Sequence, residues 1–197
     1  MFLATTLSFE NIHSHGELFA NLLRARHRTF IVRKNWDLSQ ANGMEFDQYD
    51  TPASRWVAVH DDMGEVYAGV RLTPTTHKCG IYTYMIRDAQ RGLIESIPSN
   101  LLYEQAPVAS HIWESSRVFV TSEVTSKMRF RVQMQLISEM VRTARECGAA
   151  SILGLIPENS PRLARRVGLD CQPAGPALKV AGEDIRCVTI SMSTKMH

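Results

Sequence analysis

A chain of 197 residues, 44% hydrophobic and 21% charged, has the length for one domain with a real core and the composition of an ordinary globular protein. A net charge of +2 is too small to argue for a nucleic-acid partner by itself, and no apolar run approaches the ~20 residues of a membrane helix. The start MFLATTLSFENIHSH lacks the positive n-region of a signal peptide, and Cys79, Cys147, Cys171 and Cys187 form no CxxC pair of the kind that builds a zinc site or disulfide framework, so the expectation is a reduced, cytoplasmic protein without nucleic-acid or membrane partners.

With no repeats and no low-complexity linkers, residues 1–197 read as a single domain. Residues 17–32 place Leu18, Leu22, Leu23 and Phe30 among polar neighbours and predict an amphipathic helix that fades near Arg33. Residues 36–52 are polar and rich in turn formers (Asn42-Gly43, Thr51-Pro52), which predicts a long ordered loop of a kind that is often functional. Residues 56–60 and 65–72 predict two strands joined by a turn at Asp61-Asp62-Met63-Gly64. A short element over 82–86 and a helical piece around 89–96 follow, and β-branched and aromatic content predicts a strand over 111–121. Residues 126–147 predict the clearest helix, with Phe130, Met134, Ile137, Val141 and Ala144 as its buried stripe and Gly148 at its end. A buried strand over 150–156, a helix over 160–167 and strands at 178–180 and 185–192 close the chain. This order predicts an α/β sandwich with a central mixed sheet flanked by helices.

The stretch RHRTFIVRKNWDLSQANGMEFDQYD mixes Arg26, Phe30 and Trp36 with Glu45, Asp47 and Asp50. Charges usually sit on surfaces, so a solvated acidic loop is the plainer reading. With Arg71 added, however, the set suits a small zwitterion that carries a second positive centre. Carboxylates hold an ammonium or sulfonium, aromatic faces attract a cation, and arginine binds a carboxylate through two parallel hydrogen bonds. Glu114 and Arg117 lie three apart on one predicted strand, on opposite faces unless a bulge intervenes. Glu114 follows Trp113 among apolar residues, where burial would favour a general base; an edge-strand ion pair is the plainer alternative.

Lys127, Arg129 and Arg131 at the start of the long helix oppose its dipole. With Arg162, Arg165 and Arg166 they form either a solvated face or a docking surface for an acidic partner. His77 and Cys79 lack a second ligand pair and read as loop residues. No Ser–His–Asp pattern stands out, and no GxGxxG follows a strand, which argues against a Rossmann-type enzyme.

In order along the chain stand Arg26 and Phe30, Trp36, Glu45-Phe46-Asp47-Gln48-Tyr49-Asp50, Gly69-Val70-Arg71-Leu72, Pro74-Thr75-Thr76, and Glu114-Ser115-Ser116-Arg117. From about residue 24 to about 121 this ordered set resembles the acyl-homoserine-lactone synthases of the LuxI type. The chain departs from that pattern at Tyr84, where the family usually has Phe. It departs again in Leu153-Gly154-Leu155-Ile156, where members selecting 3-oxo chains carry Thr.

The resemblance implies a fold like that of the GNAT acyltransferases. It implies two substrates, S-adenosylmethionine and an acyl thioester on acyl carrier protein or coenzyme A, with no cofactor and no metal. Glu114 is then the first choice as general base and Glu45 the second. Arg26, Phe30, Trp36, Asp47 and Arg71 would hold S-adenosylmethionine, with Asp50 and Arg117 bracing and Phe119 lining the nucleotide pocket. Tyr84, Met134, Ile137 and Leu155 would meet the acyl chain. The two basic groups would dock the donor, and the segment SEVTSKMRFR has no glycine for a coenzyme A pyrophosphate turn. Two rivals make different predictions. A GNAT-type N-acetyltransferase needs that glycine turn, and a nucleic-acid regulator needs a helix-turn-helix built on residues 24–34.

Overall fold

The computed structural model describes residues 2–158 and 168–192. The chain groups into two compact units, one of residues up to Leu72 with Arg117–Thr143, the other of Thr73–Ser116 with the residues from Ala144 on.

In the first unit, β1 (Leu3–Leu7) pairs antiparallel with β4 (Arg55–His60), and β4 with β5 (Val66–Pro74). Next in order stands the C-terminal half of β6 (Ile112–Val120). The turn between β4 and β5 is built by Asp61, whose carboxylate accepts the Met63 and Glu65 N–H groups and the Tyr67 hydroxyl. Strand β1 was not expected, because its apolar run is broken by Thr5 and Thr6. Thr5 lies 2.9 Å from the His60 ring on β4, and Thr6 has its partners on α3 (Ser126–Glu146), donating to Glu139 at 2.8 Å and lying 2.6 Å from the Thr143 hydroxyl.

The first predicted helix runs to Arg33 as expected but changes type on the way. α1 covers Leu18–Arg26, and His27–Arg33 continues it as a π-helix, with Lys34 N–H reaching back to Thr29 O at 3.2 Å. α1 buries Leu18, Leu22 and Ala25 against Trp56, Ala58 and Phe119. The predicted loop contains a ribbon, β2 (Gln40–Ala41) against β3 (Met44–Glu45). Asn42 and Gly43 both have positive φ at its two-residue turn, the geometry that favours Asn-Gly in tight hairpins. The ribbon sets Glu45 at its end.

The α3 boundaries follow the prediction, but its buried stripe does so only at Ala144. Val132, Leu136, Met140, Thr143 and Ala144 are buried, whereas Phe130 is 48% exposed. Both series have helical spacing, so periodicity alone did not choose between them.

In the second unit, the N-terminal half of β6 pairs parallel with β7 (Ser151–Pro157). β9 (Glu183–Ser191) pairs antiparallel with β7, and β8 (Cys171–Val180) antiparallel with β9. β8 is much longer than the predicted strand at 178–180. The sheet is therefore mixed, as expected. Helix α2 covers Met85–Gln90, ahead of the predicted 89–96, because acceptors for its first N–H groups come from a distant strand. Thr75 is buried and ties its loop to the start of β6. Its hydroxyl lies 2.8 Å from both Ala109 O and Ile112 O, and its N–H donates to Ile112 O. The predicted helix at 160–167 lies outside the described residues.

Candidate active site

Six charged side chains of the first unit form one closed cluster. Arg26, the last residue of α1, donates from Nε to Glu45 Oε2 at 2.6 Å and through both terminal nitrogens to Asp50 at 2.7 and 3.0 Å. Arg71 on β5 donates to Asp47 at 2.5 Å and meets Asp50 at 3.0 Å. Arg117 on β6 donates from Nε to Glu45 Oε1 at 3.0 Å and from Nη2 to Asp47 at 2.8 Å. Three guanidiniums thus face three carboxylates.

Arg26, Arg71 and Glu45 are at most 1% exposed, so solvent contributes almost nothing to holding these charges. Each must be matched inside, since an unpaired charge there costs several kcal/mol. Asp50 also accepts from the Trp56 indole N–H at 2.9 Å and the Asp47 N–H at 2.9 Å, which fills both its oxygens. Burial alone would raise the Asp50 and Asp47 carboxyls. The guanidiniums outweigh it and hold both below the ordinary value, Asp50 well below the carboxylate range. Burial opposes the Arg26 charge as well, but Asp50 and Glu45 hold that group above its ordinary value.

Arg117 has φ of 53°, a left-handed residue inside a strand. A non-glycine residue there costs about 1–3 kcal/mol, and it persists only where its surroundings fix it. The two carboxylates on its guanidinium supply that constraint. This backbone irregularity lies three residues after Glu114 on β6, where the sequence left both strict alternation and a bulge open.

An aromatic group adjoins the cluster. Phe30 stacks on Trp36 with centroids 5.1 Å apart and meets the edge of Phe119 at 5.8 Å. The Arg117 guanidinium lies 5.7 Å from the Phe30 ring, Lys34 lies 4.7 Å from the Trp36 ring, and Arg71 lies 5.6 Å from Tyr49. The glycine of Gly-Val-Arg-Leu has a packing reason: a Cβ on Gly69 would fall 2.7 Å from Leu22 and 2.8 Å from the Phe119 ring. A side chain at 69 would displace the ring that supports Phe30.

In the second unit Glu114 is fully buried. Its Oε1 accepts the Ile86 N–H at 2.7 Å and its Oε2 the Met85 N–H at 3.2 Å, at the start of α2. Burial and then the Glu114 charge raise two neighbours, pushing the Cys187 thiol up to about 12 and the Tyr84 phenol above its ordinary value. The Tyr84 hydroxyl, the departure from the family's Phe, donates to Pro107 O at 2.6 Å.

The structure thus joins Arg26, Glu45, Asp47, Asp50, Arg71 and Arg117 directly, with Phe30, Trp36 and Phe119 beside them. It changes three expectations within that group. Arg71 is fully buried with both terminal nitrogens on Asp47 and Nη1 also on Asp50, so it braces the cluster. Arg26 has Nε and both terminal nitrogens engaged by protein carboxylates, so it braces the cluster from inside and does not present a free fork to a ligand. Glu45 has each oxygen on a guanidinium, which makes it a brace as well and not a base.

Met134, Ile137 and Leu155 are half-buried on α3 and β7; Lys127 and Arg131 are exposed and Arg129 half-buried. Arg162, Arg165 and Arg166 lie outside the described residues. Residues 24–34 run through α1 into the π-helix and on to a β-ribbon, which overturns the helix-turn-helix rival. Among the described residues no group of three His, Cys, Asp or Glu is placed to hold a metal, and no helix is long and apolar enough to cross a membrane. Sequence reasoning missed Trp56 and Tyr49 as partners of the cluster. Their signal, an aromatic beside each charged motif, was present but reads equally well as core.

A family model described as autoinducer synthase matches residues 10–195. The chain belongs to the autoinducer synthase family. It is therefore a transferase by family. An acyl-homoserine-lactone synthase of Ralstonia solanacearum is 28% identical over 183 residues, 88% of this chain and 84% of the relative. The solved synthase LasI has TM-score 0.79 at 22% identity, covering 98% of this chain and 91% of its own. BjaI, a CoA-dependent acyl-homoserine lactone synthase solved with SAM and isopentyl-CoA, has TM-score 0.76 at 20% identity, covering 98% and 84%. The likeness in fold extends to an acyl-CoA N-acyltransferase from Pseudomonas aeruginosa, TM-score 0.61 at 12% identity and 96% and 99% coverage. The expected GNAT-like α/β fold is thereby established, and the family match displaces the acetyltransferase rival.

Proposed function

We propose that the chain, acting as one synthase domain, makes an acyl-homoserine lactone from S-adenosylmethionine and an acyl thioester, a step in quorum-sensing signal synthesis. Membership in the family supports the reaction, and the BjaI neighbour solved with SAM and isopentyl-CoA supports the pair of substrates.

The observation that carries the reading on this chain is the charge cluster beside an aromatic stack. Its least buried members are Asp47 and Arg117, one of each sign, and Arg117 lies against Phe30. Asp47 offers an oxygen to the ammonium or sulfonium, Arg117 offers guanidinium to the carboxylate, and Phe30 with Trp36 offers a ring face. Arg26, Arg71, Glu45 and Asp50 keep those groups in place. Phe119 supports Phe30 from the edge.

The substrate amine loses a proton, directly or through water, to Glu114. Its nitrogen then attacks the thioester carbonyl, the C–S bond breaks, and the thiol leaves carrying the proton. In the second step an oxygen of the methionyl carboxylate attacks the γ-carbon. The bond to sulfur breaks, the lactone closes, and methylthioadenosine leaves with the electron pair. The second step is intramolecular, so the bound fold of the substrate supplies much of its rate. Met134, Ile137, Leu155 and Tyr84 are the proposed acyl contacts. Lys127, Arg129 and Arg131 are the proposed docking cations for an acidic carrier protein.

The test is a donor panel. Purified protein is given S-adenosylmethionine with acyl carrier protein and coenzyme A thioesters of several chain lengths, and the products are read by mass spectrometry. An acyl-homoserine lactone and methylthioadenosine in equal amounts support the reading. Formation of neither with any donor rejects it.

A further inference from the structure

A short helix carries the N–H groups that meet Glu114, and its start is held by a second buried carboxylate. α2 is entered through Tyr84, whose side chain makes no capping hydrogen bond. The N–H groups of Met85 and Ile86 lie in the first turn, where an α-helix supplies no acceptor of its own, and Glu114 accepts from both.

Where those two N–H groups point depends on how residues 83 and 84 enter the helix. That entry is fixed by Asp88, which is fully buried. Its Oδ2 accepts the Thr83 backbone N–H at 2.7 Å, and its Oδ1 accepts the Thr83 hydroxyl at 2.7 Å. This is the logic of a capping box, in which a side chain in the first turn reaches back to the backbone ahead of the helix. Arg91 closes the arrangement. Its Nη1 donates to Asp88 Oδ1 at 2.9 Å and to Ile81 O at 3.0 Å, which balances the buried charge and ties the residue two before Thr83.

We propose that Asp88 is a positioning residue of the synthase reaction, holding the start of α2 so that the Met85 and Ile86 N–H groups aim the Glu114 carboxylate. Asp88 acts on the reaction through Glu114. A carboxylate held by two backbone donors on a fixed helix has one orientation. Released from one of them, it turns, and the proton it must take is out of line. The inference rests on the reading of Glu114 as base, and the experiment separates the two.

Asp88→Asn keeps the shape and places an amide NH2 where an oxygen accepted from Thr83. The expected result is a kcat about 10- to 100-fold lower, the size of a positioning loss, with KM for S-adenosylmethionine and for the acyl donor each within about two-fold. The same substitution in a Glu114→Gln background is expected to change kcat by less than about two-fold, since residues acting as one unit are not additive. Thr83→Val removes only the hydroxyl bond. It is expected to give a smaller loss of kcat that also vanishes in the Glu114→Gln background, and it serves where Asp88→Asn does not fold. A variant whose melting temperature falls while kcat per folded molecule is unchanged overturns the proposal. So does a loss of equal size in both backgrounds. If Glu114→Gln alone keeps full turnover, the base reading fails and takes this inference with it, a result visible in that single variant.

Discussion

The charge cluster and the Glu114 region both bury carboxylates, but they hold them in opposite ways. In the cluster, Glu45, Asp47 and Asp50 are matched by three guanidiniums on long side chains drawn from α1, β5 and β6. Around α2, Glu114 is met by backbone N–H groups, and Asp88 by a backbone N–H, a hydroxyl and one arginine. Matching charge with charge closes a network and leaves its inner members with nothing to offer a ligand. Matching charge with backbone dipoles fixes a carboxylate without cancelling it. The first arrangement suits a rigid frame, and the second suits a carboxylate that must keep one orientation.

The largest expected effect tests the second half of that contrast. Glu114→Gln should lower turnover by about 10²- to 10⁴-fold, the range for a general base, while S-adenosylmethionine binding measured by calorimetry stays nearly unchanged. Weakened binding with unchanged turnover would place Glu114 among the binding groups.

Removing an inner cation tests the first half. Arg26→Met leaves Glu45 and Asp50 short of a partner and should cost about 3–5 kcal/mol in a denaturant titration. A loss of less than about 1 kcal/mol would mean that the cluster is not the closed network described.

The pH dependence distinguishes the two regions in another way. Asp47 and Asp50 are held below their ordinary value of 3.8 in the folded protein, so the unfolded chain takes up protons first as pH falls. Their contribution to stability is fully present above that value and is lost as pH falls from there through the depressed folded values. Urea midpoints between pH 6 and pH 2 should drop steeply below about pH 4. Asp50→Asn should flatten that drop.

A smaller effect sharpens the account of Arg117. Arg117→Gly and Arg117→Ala lose the same ion pairs, but only glycine accepts φ of 53° without strain. The glycine variant should be the more stable by about 1 kcal/mol. Equal stabilities would show that the left-handed backbone is not a source of strain.

The sequence carried the members of the charge cluster well, because residue types in order along the chain are what a one-dimensional reading sees. It did not carry the pairing. Whether Arg26 faces a ligand or Asp50 depends on a turn 24 residues away that folds under it. Glu114 was found by type and neighbours, but its two donors come from 28 and 29 residues earlier, and Asp88 attracted no notice because a helix was expected further on. In the long helix both Phe130 and Val132 start a series with the right period, and the choice is made by what packs against them. Strand β1 was missed because its threonines find partners far along the chain, Thr5 on His60 and Thr6 on α3 more than 130 residues away.

The most direct test of the central claim is the donor panel read for both products at once. One acyl thioester should yield acyl-homoserine lactone and methylthioadenosine in equal amounts, and Glu114→Gln should lower both together. Methylthioadenosine without the lactone, or neither product from any donor with folded protein, would contradict it.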